Sequence, residues 1–160
     1  MKTEPQQEHQ WLQRLVGEWT YEFETSCEPG QPPEKCEGSE RVRSLGGLWV
    51  LCEGSGEMPG CGTATTLMTL GYDPRKGRHV GTWVGSMMTH LWVYEGSLDS
   101  ARKILTLETE GPSFTAEGAL AKYRDVIEFE SDDHRVLTSH VLGEDGTWSR
   151  FMTVRYRRKR

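Results

Sequence analysis

The sequence predicts an all-β fold, an up-and-down antiparallel β-barrel of about ten strands with a short N-terminal helix. Three observations carry this. Strand-like segments recur at spacings of about ten residues with short turns between them. Only one segment, at the N-terminus, has helical spacing. Gly17-Glu18-Trp19 then opens a stretch in which Trp19, Tyr21 and Phe23 alternate, so three large aromatics share one face of one strand. A sheet with an apolar face and no helices to cover it closes on itself or packs against another sheet.

Glu8, Trp11, Leu12, Leu15 and Val16 recur at helical spacing, and Gly17 follows as a stop signal, which predicts a helix over 5–16. The barrel is then expected over 17–158, in a single domain spanning 1–160. Its strands are expected at 19–24, 39–45, 48–53, 64–72, 79–84, 89–94, 103–110, 119–130, 136–142 and 147–156. Gly46-Gly47 reads as a tight hairpin turn, and Asp73-Pro74-Arg75-Lys76-Gly77 as a turn with Pro at its natural position. The segment 28–35, with three prolines, reads as an exposed loop.

Composition narrows the function classes. The chain has 160 residues, enough for one domain with a real core. Only 35% of them are hydrophobic, yet six are Trp, which suits a thin wall with a wet outer face. The 18 glycines are scattered among the strands, as turns, bulges and barrel corners require. A formal net charge of -5 argues against nucleic acid as a partner, which needs a basic stripe; the basic run 155–160 reads as a solvated strand end. No stretch approaches the roughly 20 apolar residues of a membrane span. The polar N-terminus lacks the apolar core of a signal peptide, so the expected compartment is the cytoplasm.

The four cysteines form two evenly spaced pairs, Cys27/Cys36 and Cys52/Cys61, each flanking a loop between neighbouring strands. Free thiols near one rim, two cross-strand disulfides and a thiolate metal site all fit that pattern. Free thiols are favoured without an export signal, and the missing Cys-x2-Cys knuckle weakens the metal. None of His9, His79, His90, His134 and His140 has metal-binding spacing. No nucleophile elbow occurs, and Gly54-Ser55-Gly56 lacks the following helix that a phosphate loop needs. No catalytic residue, metal or cofactor is therefore assigned.

Leu15-Val16-Gly17-Glu18-Trp19 resembles the opening strand of the calycins, the lipocalins and fatty-acid-binding proteins, in which this Trp closes one barrel end. The resemblance implies an Arg from a late strand packed on Trp19, with Arg155 and Arg157 as the candidates. A closer likeness covers nearly the whole chain. It rests on the segments Leu45-Gly46-Gly47-Leu48-Trp49-Val50, Thr69-Leu70-Gly71-Tyr72-Asp73-Pro74 and Gly81-Thr82-Trp83-Val84-Gly85-Ser86-Met87-Met88. Glu110-Gly111-Pro112, Tyr123-Arg124-Asp125 and Asp145-Gly146 followed by Trp148 extend it. These motifs are similar to those of an uncharacterised bacterial family, domain-of-unknown-function family fifteen seventy-nine, grouped with lipocalin-like barrels. That likeness implies a fold and brings no substrate or reaction. Cys61 stands where the family usually has Gly. The related nitrobindin-like barrels ligate haem through an inward His, but their Gly-rich aromatic signature is not visible in this sequence.

Candidate ligand-binding residues form two groups. Trp83, Met87, Met88, Trp92 and Tyr94 lie on neighbouring expected strands, with Trp148 and Met152 on the closing strand, and together would wall an adaptable apolar cavity. They could equally fill the barrel solidly. The second group is Glu108 and Arg124. If Leu105, Leu107 and the aromatics of 119–130 point inward, these charges form the wet outer wall. If the interior is polar, Arg124 with Glu108 would anchor the polar head of a fatty-acid-like ligand. The expected function is binding of a small amphipathic or apolar molecule inside the barrel, without catalysis. An enzyme using Glu108 or Glu110 as a buried general base, and a filled-barrel interaction module, are the alternatives; a homodimer is left open.

Overall fold

The computed structural model describes residues 3–25, 30–58 and 60–160. Its elements are α1 (Gln7–Gln13), β1 (Gly17–Thr25), β2 (Glu34–Leu45), β3 (Trp49–Met58), β4 (Gly62–Asp73) and β5 (Arg78–Gly85). They continue with β6 (Trp92–Leu98), β7 (Ile104–Pro112), β8 (Leu120–Ser131), β9 (His134–Leu142) and β10 (Trp148–Arg158). Each strand pairs antiparallel with its sequence neighbours, and β1 pairs with β10, so the ten close into a barrel. The helix is shorter than the expected 5–16. After Gln13 the backbone tightens into three-residue turns, Arg14 N to Trp11 O, Leu15 N to Leu12 O and Val16 N to Gln13 O. Helical spacing therefore persists in the sequence beyond the α-helix proper.

The turns follow their residue types. Gly46 and Gly47 both take positive φ between Leu45 and Trp49, and Asp73 Oδ1 accepts from Arg75 N while Gly77 N returns to Asp73 O. The side chains of β1 alternate as expected, with Trp19, Tyr21 and Phe23 inward. Two bulges, at Glu130 in β8 and Phe151 in β10, break the pairing register. One extra residue exchanges the inward and outward sets of a strand beyond it.

The barrel is filled at one end only. There Leu12 of α1 and Leu15 of the turn after it, both fully buried, join Val42, Val50, Leu70 and Leu105 in one apolar cluster. Trp11 stands edge-on to Phe129 at 5.5 Å and donates its Nε1–H to Arg102 O. At the centre of the plug lies Trp19, wholly inaccessible to solvent, between two guanidinium groups. Arg158 lies 4.2 Å from its ring on one side and Arg135 of β9 4.6 Å away on the other. The Arg of the last strand is thus Arg158, not Arg155 or Arg157. Beyond the Phe151 bulge the inward parity of β10 is Met152, Val154, Tyr156 and Arg158, and the two expected arginines face solvent.

Arg158 also donates to Val16 O (2.7 Å) and Arg14 O (2.8 Å), tying the turn after α1 to the end of the chain. Gly17 makes room for this, because a Cβ there would stand 2.6 Å from Arg158 Nη1, and its φ of +139° is one other residues rarely adopt. Arg135 in turn is ion-paired to Glu40 of β2, which lies opposite Trp19 across the β1–β2 ladder. Truncating a large buried aromatic costs about 3–5 kcal/mol. Trp19→Ala is therefore expected to lower the urea midpoint sharply, and a midpoint close to wild type would show that Trp19 is not the plug.

His79 is buried near α1, edge-on to Tyr72 at 5.0 Å, and its Nε2 has no hydrogen-bond partner. Burial pushes its pKa down to about 4 from the usual 6.5. The folded state therefore binds fewer protons at this site than the unfolded state between those values. The stability associated with neutral His79 is complete above pH 6.5 and is lost as the pH falls towards 4. His79→Leu is expected to shrink the drop in melting temperature between pH 7 and pH 5. An unchanged drop would assign the acid sensitivity to other groups.

Candidate ligand cavity

Beyond the Trp19 plug the barrel is hollow, with a cavity of about 300 Å³ that opens at the end away from α1. Its wall is mostly apolar: Trp83 and Trp92 on β5 and β6, Met68 on β4, Leu137 on β9, and Met152 and Val154 on β10. Trp92 lies flat over Gly111 of β7, where a Cβ would stand 2.2 Å from the indole ring. Its Nε1–H points at Met88 Sδ, 3.1 Å away, and its ring meets Tyr123 edge-on at 5.1 Å. At the mouth, Phe114, Phe151 and Tyr123 form a mutual edge-to-face cluster with centroids 5.6–6.1 Å apart. Phe114, Phe151, Met87 and Met88 are also exposed, so the rim itself is apolar.

Polar groups sit deeper. Asp125 of β8 faces the cavity, and its carboxylate accepts hydrogen bonds from the Tyr94 hydroxyl and from Ser139 Oγ (2.7 Å). Burial holds this carboxyl above the usual carboxylate range, and the two donors only partly offset that. The same burial, with Asp125 alongside, pushes the Tyr94 phenol well up. The Arg135–Glu40 pair forms the boundary with the plug, its guanidinium 3.7 Å from the Tyr156 ring. Arg135 Nε and Thr109 Oγ1 have no partner. No histidine lines the cavity among the described residues, so the wall offers no imidazole to a haem iron. No group of three His, Cys, Asp or Glu among those residues could hold a metal ion.

The structure brings Trp83, Met87, Met88, Trp92, Tyr94 and Met152 together around the cavity. It places Glu108, Arg124 and Trp148 on the outer wall instead. Leu105 and Leu107 point inward, so Glu108 between them and Thr109 points out. Arg124 Nε meets Glu108 Oε1 at 3.1 Å, Arg78 reaches the same carboxylate at 3.8 Å, and the Arg124 guanidinium lies 4.0 Å over Trp148. Trp148, expected in the cavity wall with Met152, shares its parity in the sequence, and the Phe151 bulge between them turns Trp148 outward. Glu110 is likewise exposed, so neither glutamate is a buried base.

Asp125 is not among the residues expected from the sequence, although a signal for it is there. It alternates with Tyr123, Ile127 and Phe129, a single charge within an apolar stripe. Ser139 and Arg135 occupy the same kind of position around Leu137 on β9. Phe114 gave no such signal, because it stands in the loop between β7 and β8.

The favoured expectation of free thiols holds for two of the cysteines and fails for a third. Cys36 and Cys52 are free and buried, whereas Cys61 is in a disulfide; Cys27 lies outside the described residues. Neither neighbour pair, Cys27/Cys36 or Cys52/Cys61, forms. β3 runs on to Met58, so Cys52 sits inside the barrel opposite Val42 and Met68, roughly 20 Å of extended chain from the strand end.

Residues 4–158 match the family described as "Protein of unknown function (DUF1579)", and the chain belongs to it. No curated protein matches the sequence. Among solved structures it is similar to Rv2717c from M. tuberculosis, with a TM-score of 0.63 and 14% identity over 98% of this chain and 100% of that one. It is also similar to the S-type phycobiliprotein lyase CPES from Guillardia theta, with a TM-score of 0.56 and 13% identity over 98% and 99% of the two chains. At such identities the likeness is one of fold.

Burial also sets thiol behaviour. Desolvation raises the pKa of both free thiols, and furthest for Cys52. Cys52 is expected to react with an aromatic disulfide reagent at pH 8 at least about 100-fold more slowly in the native protein than in urea. Equal rates would place it at the surface.

Proposed function

We propose that this protein binds a small, largely apolar molecule inside its barrel, entering past the rim of Phe114, Phe151, Met87 and Met88. The observation that carries the proposal is the hollow half of the barrel. A chain with only 35% hydrophobic residues leaves about 300 Å³ unfilled behind two tryptophans and several methionines, while packing the other end solidly. That volume is at the lower end of small-molecule sites, which run from roughly 300 to 1,000 Å³. Trp83, Met87, Trp92, Tyr94 and Met152 are the wall residues assigned to the ligand. Thioethers adapt to shape and aromatic rings supply contact area, so the site suits a family of related molecules better than one rigid one.

A second reading, acid–base catalysis, is favoured by one observation. Asp125 is a carboxyl facing a cavity and held above its ordinary range, as a general acid or base must be at neutral pH. It replaces Glu108 and Glu110 as the candidate base. Binding and catalysis share the cavity, and turnover of a bound compound separates them.

The test is titration with N-phenyl-1-naphthylamine, a neutral apolar dye whose emission rises on leaving water. Saturable binding with Kd below about 100 μM is expected, equivalent to at least about 5.5 kcal/mol. Ala64 faces the cavity from β4, so Ala64→Trp is expected to weaken binding at least tenfold, whereas Trp148→Ala, on the outer wall, leaves it unchanged. No saturation, or equal affinity in the Ala64 variant, would refute the internal site.

A further inference from the structure

We propose that the cavity selects ligands bearing a cationic or hydrogen-bond-donating nitrogen, an amine at the end of an apolar body, and rejects carboxylates. The inference rests on the internal binding site argued above and adds its chemical specificity.

Among the described residues three charged side chains point into the hollow half of the barrel: Glu40, Arg135 and Asp125. Two of them neutralise each other. Arg135 is ion-paired to Glu40, and its guanidinium is packed between the rings of Trp19 and Tyr156, so it cannot turn to meet a ligand anion without opening the plug. Asp125 has no ion-pair partner among the described residues, and His140, on the neighbouring strand, is the one group whose charge favours its ionised form. Its two partners, Tyr94 and Ser139, are neutral hydroxyls that donate one hydrogen bond to each carboxylate oxygen. Among the described residues no lysine or arginine forms an ion pair with it. Each oxygen keeps a second lone pair, and a ligand nitrogen with protons to give is the group that fits it.

The surroundings favour the same charge. Trp83, Trp92, Tyr94 and Tyr123 present aromatic rings to the cavity, and aromatic faces attract cations. A carboxylate ligand would meet the like charge of Asp125 in a poorly hydrated space, where the Arg135 guanidinium is already ion-paired to Glu40 and keeps only its Nε–H without a partner. A buried carboxyl without a counter-ion is itself unfavourably placed, and a bound ammonium relieves that.

The test displaces bound N-phenyl-1-naphthylamine with three compounds of one chain length, decylamine, decanol and decanoate, at pH 7 and below their aggregation concentrations. Decylamine is expected to compete at least tenfold better than decanol, and decanol better than decanoate. Asp125→Asn is expected to bring decylamine within threefold of decanol, with the far-UV circular dichroism spectrum reporting that the variant is folded. If decanoate or decanol competes as well as the amine, or if none of the three displaces the dye, the selectivity is refuted while the cavity stands. If the dye itself does not bind, the cavity reading fails and the selectivity falls with it.

Discussion

The structure depends on the enclosure of Trp19 between Arg158 and Arg135. A barrel has to be sealed at its seam, and here the seam is β1 against β10, paired from Trp19 opposite Arg158 to Glu22 opposite Arg155. This ladder is short beside the β1–β2 ladder, which runs from Gly17 to Thr25. The side-chain assembly around the indole makes up for it. Trp19 donates its Nε1–H to Leu15 O at 2.8 Å, Arg158 holds the carbonyls of Val16 and Arg14, and Arg135 joins β9 to Glu40 of β2. One aromatic ring thus links the turn after α1 to both ends of the strand order. Buried cations are costly to desolvate, and these two are stabilised by aromatic faces, backbone carbonyls and one carboxylate.

The plug also explains why the cavity has the charge it has. Its arginines are used for structure, one on backbone carbonyls and one on Glu40, so what reaches the hollow half is an ion-paired guanidinium with only its Nε–H left over. Asp125 is left among hydroxyls and rings. A charged group in that position weakens the fold unless it is used, because ionising it costs more there than in water. The acidic residue is a feature of the cavity that packing does not account for. It is also the feature on which the proposed preference among ligands rests.

The apolar rim has a comparable logic. Phe114 and Phe151 are exposed yet touch each other and Tyr123, and two methionines stand nearby. Phe151 is the extra residue of the bulge in β10. The same irregularity that delivers it to the mouth turns Trp148 outward and sets Arg158 inward. A single inserted residue therefore fixes an end plug, a rim aromatic and an outer-wall cation–π pair at once.

The sequence alone determined the barrel, the number of its strands, the single helix and the burial of Trp19. Those follow from alternation, turn residues and the absence of a second helical period, which are local properties of the chain. It also held Asp125 in plain view within an apolar stripe. The tertiary structure alone decided which Arg covers Trp19, that Trp148, Glu108 and Arg124 stand outside, and that Cys52 lies too deep to pair with Cys61. The reason is parity. Strand side chains alternate with a period of two, so one bulge reverses every assignment beyond it, and no local signal at Arg150, Phe151 or Met152 announces the extra residue. Whether the interior is filled or hollow was likewise settled by closure, since the space left over depends on how all ten strands meet.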